Sequence, residues 1–226
     1  MLLAIDTATH SMSLALHDNH TLIGEQTWQT GNRHNTLLAP SIAHLLHVCN
    51  TPMADVTMVA VATGPGSYTG LRIGIAMAKG IASVRQLPLI GISTMDVLAA
   101  GQPFHNTRHR LIAVVRAGRG RIICATYRVK KGRWTCEDDP QITNWEAVLE
   151  HLEDASYYIT GEVSDAGRDA IEAAKAQGKL LTLVGAAHRA RRAGFLAQEA
   201  WRRYHEGQAQ DFLAAKLLPA YLNAPG

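Results

Sequence analysis

The residues with the most chemical promise are Asp6-Thr7, closing a first apolar run, and the segment Gly64-Pro65-Gly66-Ser67-Tyr68-Thr69-Gly70. An acid at a strand end suits a hydrated Mg²⁺ or the placing of a phosphate. A strand, a glycine loop and a helix in that order offer free backbone N–H groups to an anion, or admit a close neighbour. Two readings of the loop stand side by side. In one, Gly66 and Gly70 give a tight turn its freedom while Ser67 or Thr69 caps the helix. In the other, the helix N-terminus takes a phosphate. Asp6-Thr7 divides in the same way, between a polar turn satisfied by its own backbone and a phosphate-side acid. Asp6, Thr7, Gly66 and Ser67 are thus the phosphate candidates.

Established motifs do not extend this set. A Walker A loop places lysine directly after its second glycine, whereas Leu71-Arg72 follow Gly70 and the first lysine is Lys79. The glycines at 64, 66 and 70 fall one residue late for a dinucleotide fingerprint, and Ser67 lies outside any Gly-x-Ser-x-Gly elbow. His44 and His47, and His105 and His109, are paired without a third ligand in register, so no metal site is assigned. Cys49, Cys124 and Cys136 lack metal spacing, leave one thiol unpaired and fit a reducing compartment. Arg189-Ala190-Arg191-Arg192 and Arg202-Arg203 offer cations to RNA, but a solvated helix end accounts for them better. No catalytic residue and no cofactor is assigned.

The elements that must position these residues follow from periodicity. Leu2–Asp6, Ser11–His17 and Leu22–Trp28 form an antiparallel meander. Leu38, Ile42, Leu45 and Cys49, at spacings of four, three and four, line one face of a helix, with Pro40 in its first turn. A strand over Val56–Thr63 feeds the loop, and a helix runs to Val84. After Pro88–Ile92, Ser93 opens a further helix. Residues 101–110 have no apolar period and mark a boundary between lobes at 104/105. The second half begins alike, with strands at Leu111–Val115, Ile122–Val129, Arg133–Cys136, Tyr157–Thr160 and Leu180–Val184. Helices fall near Trp145–Leu152, Ala166–Gln177 and Arg189–Tyr204. Two successive meander-then-α/β units predict a duplicated α/β fold with lobes 1–104 and 105–226, and leave open that the last helix packs back on the first lobe.

The chain is 47% hydrophobic and 18% charged, the balance of a globular protein, and has no apolar run long enough to span a membrane. A cytoplasmic location is the expectation. Residues 1–107 hold four Lys/Arg and five Asp/Glu, residues 108–226 eighteen and fourteen, so the second half permits contact with phosphates without requiring it. In the helix after the loop, Gly70, Gly74 and Ala78 leave one face nearly bare, while Ile73, Met77, Ile81 and Val84 make an apolar stripe. Such a helix must be covered on more than one side.

The segments AIDTATHSMSLAL, RHNTLLAPSI, ATGPGSYTGLRIGIAMAKGIA, PLIGISTMDVLA and PAYLN together resemble the TsaB (YeaZ) family. The resemblance is close over residues 1–100 and looser beyond. It implies a two-lobed actin/Hsp70-like (ASKHA) fold and a non-catalytic role beside TsaD, which makes threonylcarbamoyladenosine at position 37 of tRNAs reading codons that begin with A. It further implies TsaE binding to the TsaB–TsaD pair, homodimers when TsaD is absent, and contact with tRNA only through the complex. Where TsaD carries its metal-gripping histidines, this chain has Thr94 and Leu98. Where the family often reads Asp-Ala-Arg-x-Gly-Glu, it has Arg116-Ala117-Gly118-Arg119-Gly120-Arg121, and Asn223 stands where an arginine is usual. The helices near 34–49 and 71–84 then form the partner surface, with Leu38, Ile42, Leu45, Arg72, Gly74, Ile75, Met77 and Ala78 as contacts. Gly74→Leu is expected to abolish pairing and leave the monomer folded. The rival class is a free-standing ATPase or sugar kinase of the same superfamily, using Asp6 and the glycine loop. A peptidase lacks any recognisable residue set, and a pure RNA-binding module is the remaining alternative.

Overall fold

The structure, a computed structural model, describes residues 1–31, 33–103, 108–220 and 222. His105, Asn223 and the expected boundary at 104/105 lie outside the described residues. The chain divides into two compact units, one made of Met1–Val97 with Arg191–Tyr221, the other built on Leu98–Ala190.

The first unit opens with β1 (Leu2–Asp6), β2 (Ser11–His17) and β3 (Leu22–Gln29), then α1 (His34–Val48), β4 (Met58–Gly64), α2 (Tyr68–Arg85), β5 (Leu89–Ser93) and the start of α3 (Thr94–Ala100). Its sheet runs β3-β2-β1-β4-β5, with the meander antiparallel and β1, β4 and β5 parallel. β1 is central and buried along its whole length, which is why Leu2–Asp6 is apolar on both alternating faces; β3 lies at the edge and carries Glu25, Gln26 and Gln29. α1 runs through Pro40, its seventh residue, so the proline is not in a first turn as expected. Leu38, Ile42, Leu45 and Leu46 in the core hold the helix together despite the lost N–H donor.

The second unit contains β6 (Arg110–Gly118), β7 (Arg121–Lys130), β8 (Arg133–Cys136), β9 (Gln141–Thr143), α4 (Trp145–Glu150), β10 (Tyr157–Gly161), α5 (Asp165–Ala176) and β11 (Leu181–Leu183). Its sheet reads β8-β7-β6-β10-β11, with β9 added against β7. The two sheets therefore share one plan, an antiparallel meander continued by two parallel strands. The loops after β4 and β10 also match. Gly64 and Gly161 end their strands at φ +109° and +95°, and Ser67 and Ser164 cap the following helices by accepting from the N–H of Gly70 and Gly167.

The last helix, α6 (Ala193–Glu206), belongs to the first unit, the return that the sequence left open, and residues 105–226 are therefore not one unit. Ala193, Leu196, Ala197 and Ala200 are fully buried in the core of the first sheet, where small side chains let the helix lie close to the strands. The helix starts at Ala193, not near Arg189, because Ala190 and Arg192 are extended. Its first N–H groups are taken by the Ser13 hydroxyl (2.8 Å, from Ala193) and the Glu25 carboxylate (2.7 Å, from Gly194).

Candidate functional site

The phosphate candidates converge in the first unit, and other side chains and the backbone already occupy them. Asp6, at the end of β1, is completely buried. Its Oδ1 accepts the Ala8 N–H at 2.9 Å, and its Oδ2 accepts from Nε of Arg191 at 3.1 Å. The same guanidinium donates to the hydroxyls of Thr9 (2.6 Å) and Ser11 (3.0 Å). Arg191 is itself only 3% exposed. The first-turn acid thus has a cation supplied by the chain, 185 residues further on. A bond to the acid and to two hydroxyls satisfies an ion pair that would otherwise be costly to bury.

The glycine loop lies against the same turn. Ser67 N–H donates to Ala8 O at 2.5 Å, and the Thr7 hydroxyl donates to Gly70 O at 2.8 Å. A Cβ on Gly66 would meet Ala8 O at 2.1 Å, on Gly70 would meet Thr7 O at 2.2 Å, and on Gly74 would meet Thr7 Oγ1 at 2.2 Å. The bare face of α2 is therefore spent on the chain's own β1–β2 turn. Ser67 caps α2 through Gly70 N–H at 3.3 Å, the tight-turn reading of the sequence.

This arrangement redraws the expected partner surface. Leu38, Ile42, Leu45, Gly74, Ile75 and Ala78 are buried within the first unit and offer nothing to a partner; of the expected contacts, Arg72 and Met77 reach the surface. The regular stripe on α1 faces the sheet because the sheet supplies most of the apolar area. Gly74→Leu would collide with Thr7, so the expectation that this variant leaves the monomer intact does not hold. The opposite side of α2 carries Ile73, Ala76, Met77, Gly80 and Val84, the last 86% exposed, and α1 adds Leu37 and Val48 (62%). Tyr68, 57% exposed, lies beneath the Arg72 guanidinium, which is 5.1 Å from the ring centre.

The other candidates resolve as follows. Arg191 is the functional residue that sequence reasoning missed: within a run of three arginines, the solvated reading was the natural one. Arg202 pairs with Glu199 and Glu206, and Arg203 bridges Gly91 O and Asp96, so these too are engaged within the chain. Cys124 borders a cavity of about 450 Å³ with Gln141, Thr143 and His151, but burial pushes its thiol up to about 11. It is protonated at neutral pH and no nucleophile. Thr94 and Leu98 are buried, and among the described residues no three His, Cys, Asp or Glu side chains converge on a point. No helix among the described residues is long and apolar enough to cross a membrane.

The repeated strand order and the capped glycine loops define an α/β protein of the actin/Hsp70-like class. A solved ROK hexokinase from Thermus thermophilus shares that fold, with TM-score 0.51 over 91% of this chain and 99% of that one at 10% identity. A Pseudomonas aeruginosa structure described as an uncharacterized protein similar to peptidase YeaZ superposes with TM-score 0.80. It is 24% identical and covers 98% of this chain and 99% of its own. The family model described as TsaD, tRNA N6-adenosine threonylcarbamoyltransferase, matches residues 28–206. The tRNA threonylcarbamoyladenosine biosynthesis protein TsaB of Escherichia coli (strain K12) is 34% identical over 69% of this chain and 67% of its own length. The chain belongs to the TsaD family and, within it, to the TsaB (YeaZ) group.

Proposed function

We propose that this chain is a non-catalytic partner of TsaD in the formation of threonylcarbamoyladenosine at position 37 of tRNAs that read codons beginning with A. One observation carries the reading. The turn and loop that would handle a phosphate are closed by Arg191, Thr7 and Ala8, whereas the outer faces of α1 and α2 leave Val48 and Val84 exposed, with Ile73 and Met77 half-buried. Exposed apolar side chains on two helices that touch one another are suited to a protein partner. The occupant we infer is TsaD, with TsaE bound to the assembled pair and self-association through the same face when TsaD is missing. The rival reading, a free-standing ATPase, would need Asp6 free for a metal-bound phosphate, and Asp6 already has its cation.

The test is capture of TsaD by the tagged chain, repeated with Val84→Glu and Val48→Glu. Wild-type recovery of TsaD, lost in the variants while their melting temperatures stay unchanged, is the expected result. Failure of the wild-type chain to bind TsaD would overturn the reading. ATP titration calorimetry on the chain alone separates the rival, which requires a tight, Mg²⁺-dependent heat.

A further inference from the structure

The β6–β7–β8 meander of the second unit has a charge pattern that the proposed role leaves unused. Between residues 108 and 133 there are nine Lys/Arg and no Asp/Glu. Part of this charge is neutralised from outside the segment: Arg110 pairs with Glu137 and Glu153, and Arg128 with Glu137. The hairpin tip between β6 and β7 is different. Arg116, Arg119 and Arg121 are all exposed there, and no acid among the described residues forms an ion pair with Arg119 or Arg121. The nearby Glu162 carboxylate accepts the backbone N–H of Arg116 at 3.1 Å.

The backbone of the tip favours close approach. Gly118, Arg119 and Gly120 adopt φ of +72°, +51° and +74°, and a Cβ on either glycine would meet nothing within 4 Å. The guanidiniums therefore stand on a narrow, bare turn. The tip residues, Ala117-Gly118-Arg119-Gly120, include no aromatic or large aliphatic side chain to enter a lipid surface. Planar, weakly hydrated guanidiniums are suited to phosphate oxygens, singly or bidentately.

We propose that the β6–β7 hairpin tip contacts the phosphate backbone of an RNA directly, with Arg119 and Arg121 as the principal donors and without base specificity. The choice of RNA over other polyanions rests on the proposed place of the chain in tRNA modification. It departs from the expectation that tRNA is met only through the complex.

The experiment measures binding of a fluorescent tRNA transcript to the chain alone and to the chain with TsaD, from about 50 to 200 mM salt. Arg119→Ala/Arg121→Ala should weaken binding on the order of tenfold per arginine at the low-salt end and reduce the slope of log K against log salt by roughly 0.7–0.9 per lost contact. Arg119→Lys/Arg121→Lys should keep most of that slope. Unchanged affinity and slope in the alanine variant, or no wild-type binding in either form, overturns the proposal. So does a variant that loses binding to phosphatidylserine vesicles while keeping tRNA. TsaD capture by the same variants keeps the two readings apart: it should be unaffected, and its absence in the wild type speaks against the partner role without touching tRNA binding by the chain alone.

Discussion

Arg191 and Asp6 form an ion pair that neither could leave without loss. Removing the guanidinium would strand a fully buried carboxylate beside two hydroxyls. Arg191→Met is expected to lower unfolding stability by roughly 3–5 kcal/mol, and Asp6→Asn in the same chain to recover much of it, as read by urea denaturation. Gly74 makes a second test at this scale. Ala there places a methyl against Thr7 Oγ1, and a loss of about 1–3 kcal/mol should appear in the same measurement. The sequence showed Asp6 and the glycines as special because their types are rare at such places. It did not show Arg191, since nothing local separates a buried arginine from its half-buried neighbour Arg189 and exposed neighbour Arg192. Burial there depends on a turn nearly two hundred residues earlier.

Among the elements, α1 begins at a titratable point. Burial holds the His34 imidazole below its usual 6.5. The Thr30 hydroxyl donates to His10 O, so the His34 Nε2–H is the donor in its 3.0 Å bond to Thr30. The folded state therefore favours the neutral ring, and as pH falls through about 6.5 the unfolded chain takes up the proton first. Stability present above that pH is lost on acidification, and His34→Gln should flatten the decline between about pH 7 and 5; parallel wild-type and variant curves would discount the effect. The periodicity of α1 gave its extent and its apolar stripe, but a stripe alone does not say whether the sheet or a partner covers it, and Leu38, Ile42 and Leu45 were assigned to the partner. The competition is decided by area. The core of the first unit takes Leu38, Ile42 and Leu45, and the sparser outer set stays outside it.

For the whole molecule, the repeated sheet order was legible as two meander-then-α/β runs, since each strand is short and bounded by turn residues. The division of the chain was legible only as an open alternative, because α6 follows the second unit in sequence yet completes the first in space. Its Ala193, Ala197 and Ala200 give a weak apolar signal that any sheet could accept. A chain ending at Ala190 is accordingly expected to leave the first sheet open on one face and to lose cooperative unfolding of that unit. Residues 98–190 should keep their protection in hydrogen exchange, whereas loss of protection throughout would contradict the division.

The discontinuous first unit also sets an order of events during synthesis. As a nascent chain leaves the ribosome, residues 98–190 emerge as one unbroken stretch and can settle on their own. The meander that came out before them must wait, its central sheet half dressed, until Arg191 arrives to reach Asp6 and α6 closes over β1 and β2. For that interval residues 1–97, made before the second unit, mature after it, and the apolar strands Leu2–Asp6 and Met58–Gly64 are the surface a chaperone would meet.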